Sequence, residues 1–455
     1  MLRAMETRNG TASAEGVVLR SADLRTLVRL VRDAVRPMVR RRHGRLVCVV
    51  PHPPSADLPG TVEVEAATAV VRSVAADLSY YGVAVSGVVE VDDAPAGTQV
   101  AGLLAGGEVD LGTGEVYLVS RTGLARLAPP AADQVLLRSG HRITTAEAAA
   151  TLTPWAGASP PRGSGGRVAI VTGGGGGIGR AVAEGLAADG AAVVVADLGC
   201  DPDGAGRDPG PAEGVVREIA AQGGQAVAAC VDVSQPADCD ELVALALRRF
   251  GRVDALVHAA GVVRPALVFE LTDEDWDTVH AVHVTGARNL VHSALPAMRR
   301  QRHGRVVLLS SRSVTGSPGQ VAYAAAKGAV LGYARSLAAE LAGTGIGVTA
   351  VLPSGRTRAS APDRPSTRRR RIELLRARHH GIADPAAYRA SPQQDPENNA
   401  AMVGWLCGEA AGTVSGRVFG TGGWSVELYR PTTVAAAVDL PATLTAEQLG
   451  ALGTG

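Results

Sequence analysis

Short apolar runs rich in β-branched residues alternate with longer amphipathic stretches along most of the chain. Runs such as residues 167–172, 192–196, 253–257 and 306–309 have the length of buried strands. The stretches between them carry apolar residues at the three- and four-residue spacing of helices. Strands that alternate with helices in this way predict an α/β fold with a parallel sheet. Ligands of such sheets bind beyond the carboxyl ends of the strands.

The stretch 306–327 is a candidate proton-transfer site. A predicted strand is followed by a Ser/Gly/Pro turn and by an alanine-rich helix that carries Tyr323 and Lys327. Residues four apart share a helix face, so the phenol and the ammonium would lie together. The charge of Lys327 would lower the pKa of Tyr323 from about 10, and the phenol could then exchange a proton with a carbinol oxygen. A Tyr-x-x-x-Lys pair by itself also occurs on ordinary solvated helices.

A glycine run about 150 residues earlier strengthens this interpretation. The predicted strand 167–172 breaks into glycines 173–177, and a helix pattern follows from Arg180. This arrangement lets backbone amides approach a pyrophosphate at the positive end of a helix. The next strand ends in Asp197, whose carboxylate could accept both ribose hydroxyls and would repel a 2′-phosphate, so NAD is favoured over NADP. A lone glycine run can be a flexible linker, but a strand and a helix bracket this one.

The motifs together resemble those of the short-chain dehydrogenase/reductase family over residues 167–429. They are Thr172-Gly173-x-x-x-Gly177-Ile178-Gly179, Asp232-Val233, His258-Ala259-Ala260-Gly261, the serine turn and Tyr323-x-x-x-Lys327. Within the family, Asp197-Leu198-Gly199, the insert to Pro211 and Ala281-Val282-His283 resemble the (3R)-hydroxyacyl-CoA dehydrogenase units of multifunctional β-oxidation enzymes. Bacterial 3-oxoacyl-carrier-protein reductases are close behind. The resemblance implies a doubly wound parallel sheet of the Rossmann type.

The resemblance also implies site residues. Tyr323 would be the general acid/base, Lys327 would hold the nicotinamide ribose, and His283 would stand in a proton relay where the family often has asparagine. A satisfied structural histidine is the alternative for His283, and a helix N-cap is the alternative for Asp232. No metal site is implied. The cofactor site would comprise Gly173, Gly177, Ile178, Gly179, Asp197, Asp232, Val233, Ala259, Ala260, Gly261, Tyr323, Lys327 and Pro353.

The serine that orients the substrate oxygen is ambiguous. Counting seven residues from Gly304 selects Ser311, whereas counting thirteen back from Tyr323 selects Ser310. We favour Ser311 because strand register fixes side-chain direction more tightly than loop length does; Ser313 is a third candidate. The chain departs from the usual family pattern at other positions too. It has His258 and Ala259 where asparagines are usual, and it adds Ser354 between the proline and glycine that pack on the nicotinamide.

The first third of the chain echoes the last third. Residues 38–50 resemble 298–310, residues 71–78 resemble 334–341, and Gly102, Leu104 and 114–116 parallel Gly404, Leu406 and 416–418. We interpret residues 23–120 as a second copy of the back half of the dehydrogenase fold; chance similarity of alanine-rich segments is the alternative. The copy lacks the glycine loop. Gly60 and Val64 stand where Tyr323 and Lys327 do, and residues 51–55 replace the serine turn, so it would be non-catalytic.

This repeat suggests a domain organisation. Residues 1–150 would form the smaller, degenerate α/β domain, 151–166 a Pro/Gly/Ser linker, 167–430 the NAD-binding dehydrogenase domain, and 431–455 a weakly ordered C-terminal tail. In the family, the helix before the serine strand and the tyrosine helix commonly pack against the same pair of another subunit. The hypothesis is that the degenerate copy acts as a built-in partner that covers this surface. We also expect a homo-oligomer with the N-terminal domain at its interface.

Composition limits the partners. A net charge of +1 gives no general attraction to nucleic acid or membrane. The five cysteines show neither metal-site spacing nor a CxxC pair, and no apolar stretch has the length of a membrane span. The sequence predicts a cytoplasmic protein.

The sequence therefore predicts an NAD(H)-dependent oxidoreductase that interconverts a secondary alcohol and a ketone, with a 3-hydroxyacyl or 3-oxoacyl thioester as the leading substrate class. The arginine run 368–371 is either a solvated face or a site for the anionic part of CoA or of an acyl carrier protein. The alternative function is a non-catalytic or weakly active subunit that assembles with an active relative, because the departures cluster around the site.

Overall fold

Two β-sheets flanked by helices build the protein. A computed structural model describes residues 5–6, 16–52, 61–91, 95–109, 112–158, 166–201, 204–357, 366–439 and 444–452. Strands and helices alternate in both halves, and the two sheets have their own apolar cores. The predicted α/β class is confirmed.

The first sheet has the strand order β1-β2-β3-β4-β5-β6-β16. Strands β2 to β5 run parallel, whereas β1, β6 and β16 are antiparallel to their neighbours. Its elements, apart from β16, are β1 (Met5–Glu6), β2 (Gly16–Arg20), α1 (Leu24–Arg41), β3 (Gly44–His52), α2 (Val62–Ser79), β4 (Val83–Val91), α3 (Pro95–Gly106), β5 (Val116–Val119) and β6 (Gly123–Ala128).

The second sheet has the order β10-β9-β8-β11-β12-β13-β14-β15-β7. After the edge strand β7, the chain enters the middle of the sheet with β8, winds outward to β10, then returns to β11 on the other side of β8, which is the doubly wound order predicted. Its first elements are β7 (Ala131–Arg138), α4 (Thr145–Trp155), β8 (Val168–Thr172), α5 (Gly177–Ala188), β9 (Ala192–Ala196), α6 (Gly210–Ala221), β10 (Gln225–Ala229), α7 (Pro236–Phe250), β11 (Ala255–His258) and α8 (Asp273–His280).

The second half of this domain carries the predicted catalytic helix, α10, next to strand β12. The strand predicted at 306–309 is present as part of β12, and both β12 and its neighbour β13 are fully buried. The remaining elements are α9 (Gly286–Gln301), β12 (Gly304–Leu309), α10 (Val321–Glu340), β13 (Ile346–Leu352), α11 (Thr367–His379), α12 (Pro385–Ala390), α13 (Ala400–Leu406), β14 (Val418–Thr421), β15 (Ser425–Arg430), β16 (Thr433–Asp439) and α14 (Ala446–Ala451).

The two segments that echo each other in sequence also match in structure. In both, three parallel strands are followed by one antiparallel strand: β3, β4, β5 and β6, and β12, β13, β14 and β15. The C-caps of α1 and α9 are Arg42 and Arg302, which among the described non-glycine residues alone have positive φ, 53° and 51°. Both caps face a glycine too tightly packed for a side chain, Gly82 and Gly345. These matches support the interpretation of residues 23–120 as a half-repeat. Its Gly60 and residues 53–55 lie outside the described residues.

The two halves meet where α2 lies against α10. A Cβ at Gly328 would lie 2.5 Å from the Glu65 carbonyl oxygen, and one at Gly332 would lie 2.6 Å from the Thr61 carbonyl oxygen. The two helix backbones are therefore in direct contact. The apolar residues around this contact form one core that includes Val64 and Val70 of α2 and Ala322 and Ala325 of α10. The half-repeat thus covers the face of the tyrosine helix, as the built-in-partner hypothesis requires.

Ion pairs reinforce this contact at its edge. Arg29 of α1 holds the Asp273 carboxylate with two hydrogen bonds of 2.9 and 2.5 Å, and Arg25 pairs with Asp277. Both acids lie on α8. The half-repeat therefore contacts α8 through ion pairs in addition to covering α10.

The two halves exchange strands, so the predicted boundaries are wrong. Strand β7 leaves the first half after Pro129 and Pro130 and pairs with β15 in the second sheet, and Leu152 of α4 lies in the core of that half. In return, β16 pairs with β6 in the first sheet. Residues 131–155 therefore belong to the dehydrogenase sheet rather than to 1–150 and a linker. The predicted tail, 431–455, contributes a strand and the helix α14 to the first half.

Candidate active site

A cleft opens at the carboxyl ends of the second sheet, between β8 and β11, where the strand order reverses. Residues from the glycine loop to Thr357 line it. Its lining includes Gly173, Gly177, Ile178, Gly179, Asp197, Asp232, Val233, Ala259, Ala260, Gly261, His283, Ser310, Ser311, Gln320, Tyr323, Lys327, Pro353 and Thr357. Every residue predicted for catalysis or cofactor binding thus borders one cleft.

The glycine loop connects the fully buried strand β8 to helix α5. Gly173 has φ +67° and a Cβ there would lie 2.7 Å from the Ala260 nitrogen; a Cβ at Gly179 would lie 2.1 Å from the Gly173 carbonyl oxygen. Side chains are excluded at both positions. The loop therefore presents bare backbone beside the amino end of a helix, which suits a pyrophosphate. These residues fit a dinucleotide.

Asp197 fixes the shape of this loop. One oxygen of its carboxylate accepts a hydrogen bond of 2.8 Å from the Gly175 amide, and the other accepts one of 2.7 Å from the Gly199 amide. The carboxylate is thus held at the rim of the cleft by backbone donors. Its negative charge lies one residue beyond β9, as predicted.

Tyr323 and Lys327 face the same part of the cleft from α10. The Lys327 ammonium lies 5.6 Å from the centre of the Tyr323 ring and donates a 2.6 Å hydrogen bond to the Leu309 carbonyl oxygen at the end of β12. Lys327 is 4% exposed, whereas Tyr323 is partly exposed to the cleft. The helix spacing therefore brings the phenol and the ammonium together as predicted.

The structure gives the two candidate serines different environments. Ser310 is 1% exposed and its hydroxyl donates a 2.8 Å hydrogen bond to the Lys327 carbonyl oxygen. Ser311 lies on the cleft side with Tyr323, and its hydroxyl is near enough to the phenol to lower the pKa of Tyr323. Ser313 is buried and does not line the cleft. This placement favours Ser311 as the serine that touches a substrate oxygen.

Burial dominates the protonation of this pair. It raises the pKa of Tyr323, while the hydrogen bond from Ser311 and the charge of Arg376 pull that pKa down. Burial also lowers the pKa of Lys327 to about 7. The expectation that the charge of Lys327 would lower the pKa of Tyr323 is therefore wrong for this geometry. A buried ammonium is itself half neutral near pH 7, so it cannot impose a full positive charge.

His283 lies in a π-helical turn, Ala281–Thr285, between α8 and α9. Such turns interrupt a helix and often occur at functional sites. The ring packs edge-on against Tyr323 with centroids 5.2 Å apart, and Nε2 lies 3.0 Å from the Val262 carbonyl oxygen. Among the described residues, Nδ1 has no hydrogen-bond partner. His283 is thus both anchored and in contact with Tyr323, so its two interpretations are compatible.

His258 is the clearest departure from the usual family pattern. Its side chain is completely buried at the end of β11, with Nδ1 3.0 Å from the Thr172 hydroxyl oxygen. Burial lowers its pKa to about 3. The ring is therefore neutral in the folded protein and serves to hold β8 and β11 together behind the glycine loop.

We predict that His258→Asn removes a source of acid instability. The unfolded histidine binds a proton below about pH 6.5, whereas the folded one binds it only near pH 3, so the folded state loses stability as the pH falls between these values. Relative to the variant, the wild type should lose ~2–3 kcal/mol of unfolding free energy between pH 6.5 and 4. Urea denaturation at both pH values measures this. Parallel pH profiles for the two proteins would contradict it.

Asp232 has a local role in addition to its place in the cleft. One carboxylate oxygen accepts hydrogen bonds from the amide and the hydroxyl of Ser234, at 2.9 and 2.7 Å. The helix that follows begins at Pro236 and its N-cap residue is Gln235. The predicted N-cap alternative is therefore wrong in detail, because the carboxylate stabilises the turn before the helix rather than the helix end.

Three residues near the cleft escaped the sequence analysis in these roles. Gln320 lines it at the start of α10. Asn289 donates hydrogen bonds to the carbonyl oxygens of Val233 and Ser234 and so supports the turn on the adenine side. Arg376 lies near Tyr323 and donates to the Pro318 carbonyl oxygen at 3.0 Å. Spatial proximity reveals the roles of Asn289 and Arg376, whereas Gln320 lies within the candidate stretch 306–327 but was not singled out there.

The arginine run fastens α11 to the body of the protein. Arg371 binds the Glu270 carboxylate at 2.6 Å, Arg368 lies 3.6 Å from Asp275, and Arg369 donates to the Val263 carbonyl oxygen. Neither the solvated face nor the anion site describes these three side chains, which have intramolecular partners. The run therefore carries less free positive charge than the sequence suggests.

A comparison with protein families agrees with this geometry. The short chain dehydrogenase model matches residues 167–365. A 3-oxoacyl-[acyl-carrier-protein] reductase of Synechocystis sp. is 37% identical over 188 residues, 41% of this chain and 73% of the reductase. The chain belongs to the short-chain dehydrogenase family. It is accordingly an enzyme of the dehydrogenase/reductase type.

Other members of the short-chain dehydrogenase family resemble a larger part of the chain. The peroxisomal multifunctional enzyme type 2 of mouse is 36% identical over 275 residues, 60% of this chain, which spans about a third (34%) of that enzyme's length. A crystal structure of a short chain dehydrogenase from Mycobacterium avium is 32% identical, with a TM-score of 0.52, and covers 64% of this chain and 94% of its own. Both types of relative that the sequence resembled are thus found.

The described part of this short-chain dehydrogenase shows neither a metal site nor a membrane span. Within the described ranges, no group of three or more His, Cys, Asp and Glu side chains is placed to hold a metal ion. Among the same residues, no helix combines the length and the apolar character that a membrane span needs.

Proposed function

We propose that the protein interconverts a secondary alcohol and a ketone with NAD(H) as cofactor. The observation that carries this proposal is that Ser311, Tyr323 and Lys327 face the same cleft as the glycine loop and Asp197. A proton-transfer group and a dinucleotide cradle are therefore combined in one site. The other predicted cofactor contacts, at positions 232–233, 259–261 and 353, border the cleft between them.

Each side chain has a defined task in this proposal. The hydroxyl of Ser311 holds the carbonyl or carbinol oxygen of the substrate, and the Tyr323 hydroxyl gives that oxygen a proton or removes one. Lys327, anchored on the Leu309 carbonyl oxygen, binds ribose hydroxyls. His283 packs edge-on against the tyrosine ring, and its buried Nδ1 would receive or return a proton within the site. The bound nicotinamide supplies or accepts the hydride.

The choice of NAD over NADP rests on Asp197. Its carboxylate is fixed by two amides at the position where a 2′-phosphate would have to approach. The Asp197 carboxylate and a 2′-phosphate would repel each other there, because the partly buried rim screens charges less than bulk water does.

We predict that Asp197→Asn shifts the cofactor preference. Removing the charge while keeping one acceptor should lower the NADH/NADPH selectivity by ~10-fold or more, equivalent to ~1.4 kcal/mol. Fluorescence titration with both reduced cofactors measures the two affinities. Asp240→Asn provides a control, since Asp240 is exposed on the nearby helix α7 and does not line the cleft. Unchanged selectivity in Asp197→Asn would show that this carboxylate does not decide the preference.

We propose a 3-hydroxyacyl or 3-oxoacyl thioester as substrate class. The support is that the relatives include a 3-oxoacyl-[acyl-carrier-protein] reductase and a peroxisomal multifunctional enzyme. The arginines of α11 form ion pairs within the protein, so they give no separate support for a CoA or carrier-protein site. The KM values for one acyl group attached to CoA, to an acyl carrier protein or to a short thiol can be compared. A lower KM for either large carrier would show that the carrier contributes to binding.

The test combines cofactor binding with turnover. NADH fluorescence gives the cofactor affinity, and oxidation of NADH by acetoacetyl-CoA and by simple ketones gives turnover. We expect binding of NADH and faster oxidation with the thioester. Tight NADH binding without turnover of any ketone would instead favour the non-catalytic subunit that assembles with an active relative.

A further inference from the structure

A carboxylate from the half-repeat is buried beside the catalytic helix. Asp77, on the last turns of α2, is completely buried. One of its oxygens accepts a 2.7 Å hydrogen bond from the Val268 amide, and the other accepts a 2.5 Å hydrogen bond from the Gly319 amide. Both donors belong to the dehydrogenase half, so this one side chain bridges two of its segments.

Those two segments border the cleft. Gly319 lies in the turn between the serine segment and α10, one residue before Gln320 and four before Tyr323. Val268 follows the stretch 259–263 that lines the cleft on the opposite side. The segments also contact each other directly, because the Ala266 amide donates a 3.0 Å hydrogen bond to the Gly319 carbonyl oxygen. Asp77 thus ties the start of the tyrosine helix to the facing wall.

The turn at Gly319 is constrained from its other side as well. Gly319 has φ +70°, and a Cβ on it would lie 2.5 Å from the Ile372 side chain of α11. Arg376 of the same helix donates to the neighbouring Pro318 carbonyl oxygen at 3.0 Å. The turn is therefore held between a carboxylate from the half-repeat and a guanidinium from α11, which leaves its backbone little freedom.

Helix packing alone does not require a carboxylate at this position. The sequence echo aligns Asp77 with Glu340 of α10, whose side chain is 67% exposed and lies 3.6 Å from Arg299. Burying a carboxyl group is unfavourable unless specific donors satisfy it, and burial raises the pKa of Asp77 to about 8 against the effect of its two amide hydrogen bonds. An apolar residue would pack here without that penalty.

We infer that Asp77 is a positioning residue for the active site: by fixing the amides of Gly319 and Val268, it sets where α10 presents Tyr323 to the cleft. The half-repeat then completes the catalytic framework of the other half in addition to covering its surface. The catalytic part of this inference rests on the proposed function, whereas the hydrogen-bond bridge itself does not.

The test compares the full-length wild type with Asp77→Asn and Glu340→Gln. Asparagine can accept a hydrogen bond from one of the two amides, Val268 or Gly319, but its own NH₂ group faces the other amide, so that hydrogen bond is lost. Turnover is counted per NADH-binding site, so that misfolded protein does not contribute. We expect Asp77→Asn to lower kcat by ~10- to 100-fold, since displacements of about 1 Å at a catalytic group have effects of that size. NADH affinity should stay within ~3-fold, because the glycine loop lies outside this contact. Glu340→Gln should match the wild type.

Hydrogen exchange of the wild type tests the hydrogen-bond bridge itself and needs neither a variant nor a substrate. The amides of Val268 and Gly319 should be protected as strongly as those of β12. If both exchange as fast as exposed turns, or if kcat per site in Asp77→Asn stays within ~2-fold of the wild type, the inference is overturned. If the wild type reduces no ketone, the proposed function fails, and exchange at the two amides still decides whether Asp77 holds them.

Discussion

Replacing Tyr323 with phenylalanine should abolish nearly all turnover while leaving the cofactor site intact. The variant loses the hydroxyl that exchanges a proton with the substrate oxygen, and general acid–base groups of this kind contribute ~100- to 10,000-fold to rates. The ring remains and keeps its contact with His283 and its place near Lys327. NADH affinity should therefore change little. Single-turnover reduction of acetoacetyl-CoA, together with NADH titration, measures both quantities.

Tyr333→Phe is the matched control for this experiment. Tyr333 lies on the same helix, is half-buried against the apolar core, and does not line the cleft. The control should keep turnover near the wild-type rate. Turnover in Tyr323→Phe within ~10-fold of the wild type would contradict the assignment of the acid/base, because a lost proton donor has a larger effect than that.

Adding methyl groups to α10 where it touches α2 should lower the stability of the whole molecule. In Gly328→Ala/Gly332→Ala, each new methyl group meets a backbone atom of α2 at 2.5–2.6 Å, and the backbone cannot move aside as a side chain can. Overpacking of this kind has an effect of ~1–3 kcal/mol at each site, partly non-additive for neighbours. We expect the apparent melting temperature to fall by ~5–10 °C.

Gly214→Ala is the corresponding control. Gly214 lies within α6, and its nearest neighbour for a new methyl group is the end of the Arg217 side chain, 3.9 Å away. Alanine there should stabilise the helix by ~0.5–1 kcal/mol, since it has the higher helix propensity. Thermal denaturation followed by circular dichroism compares the three proteins. A double variant that melts with the wild type would show that the two helices are not in contact in solution.

The sequence was most informative where chemistry demands a local pattern. The glycine loop, Asp197 and the Tyr323–Lys327 pair are each readable because a bare backbone, a strand end and a helical spacing are short-range features. The strand predicted at 192–196 is Ala192–Ala196, so even its bounds were correct. The π-helical turn around His283, which separates α8 from α9, was not predicted from the sequence.

Features that depend on distant partners were not readable. The alanine-rich strand β16 carries no mark of the sheet that it joins, so residues 431–455 resembled a tail. The arginines of α11 look like a free cationic surface until Glu270 and Asp275 are seen beside them. Asp77 looks like an ordinary polar position near a helix end. In each case, the missing information is the identity of a residue that lies far away along the chain.

The exchange of edge strands has a consequence for biosynthesis. Strand β6 ends at Ala128 and its partner β16 begins at Thr433, so a ribosome must add about 300 residues before the pair can form. At ~5–20 residues per second, that interval lasts ~15–60 s, during which one border of the first sheet is bare on the nascent chain. The first sheet is therefore complete only after β16 has been made, and until then β6 has an unpaired edge.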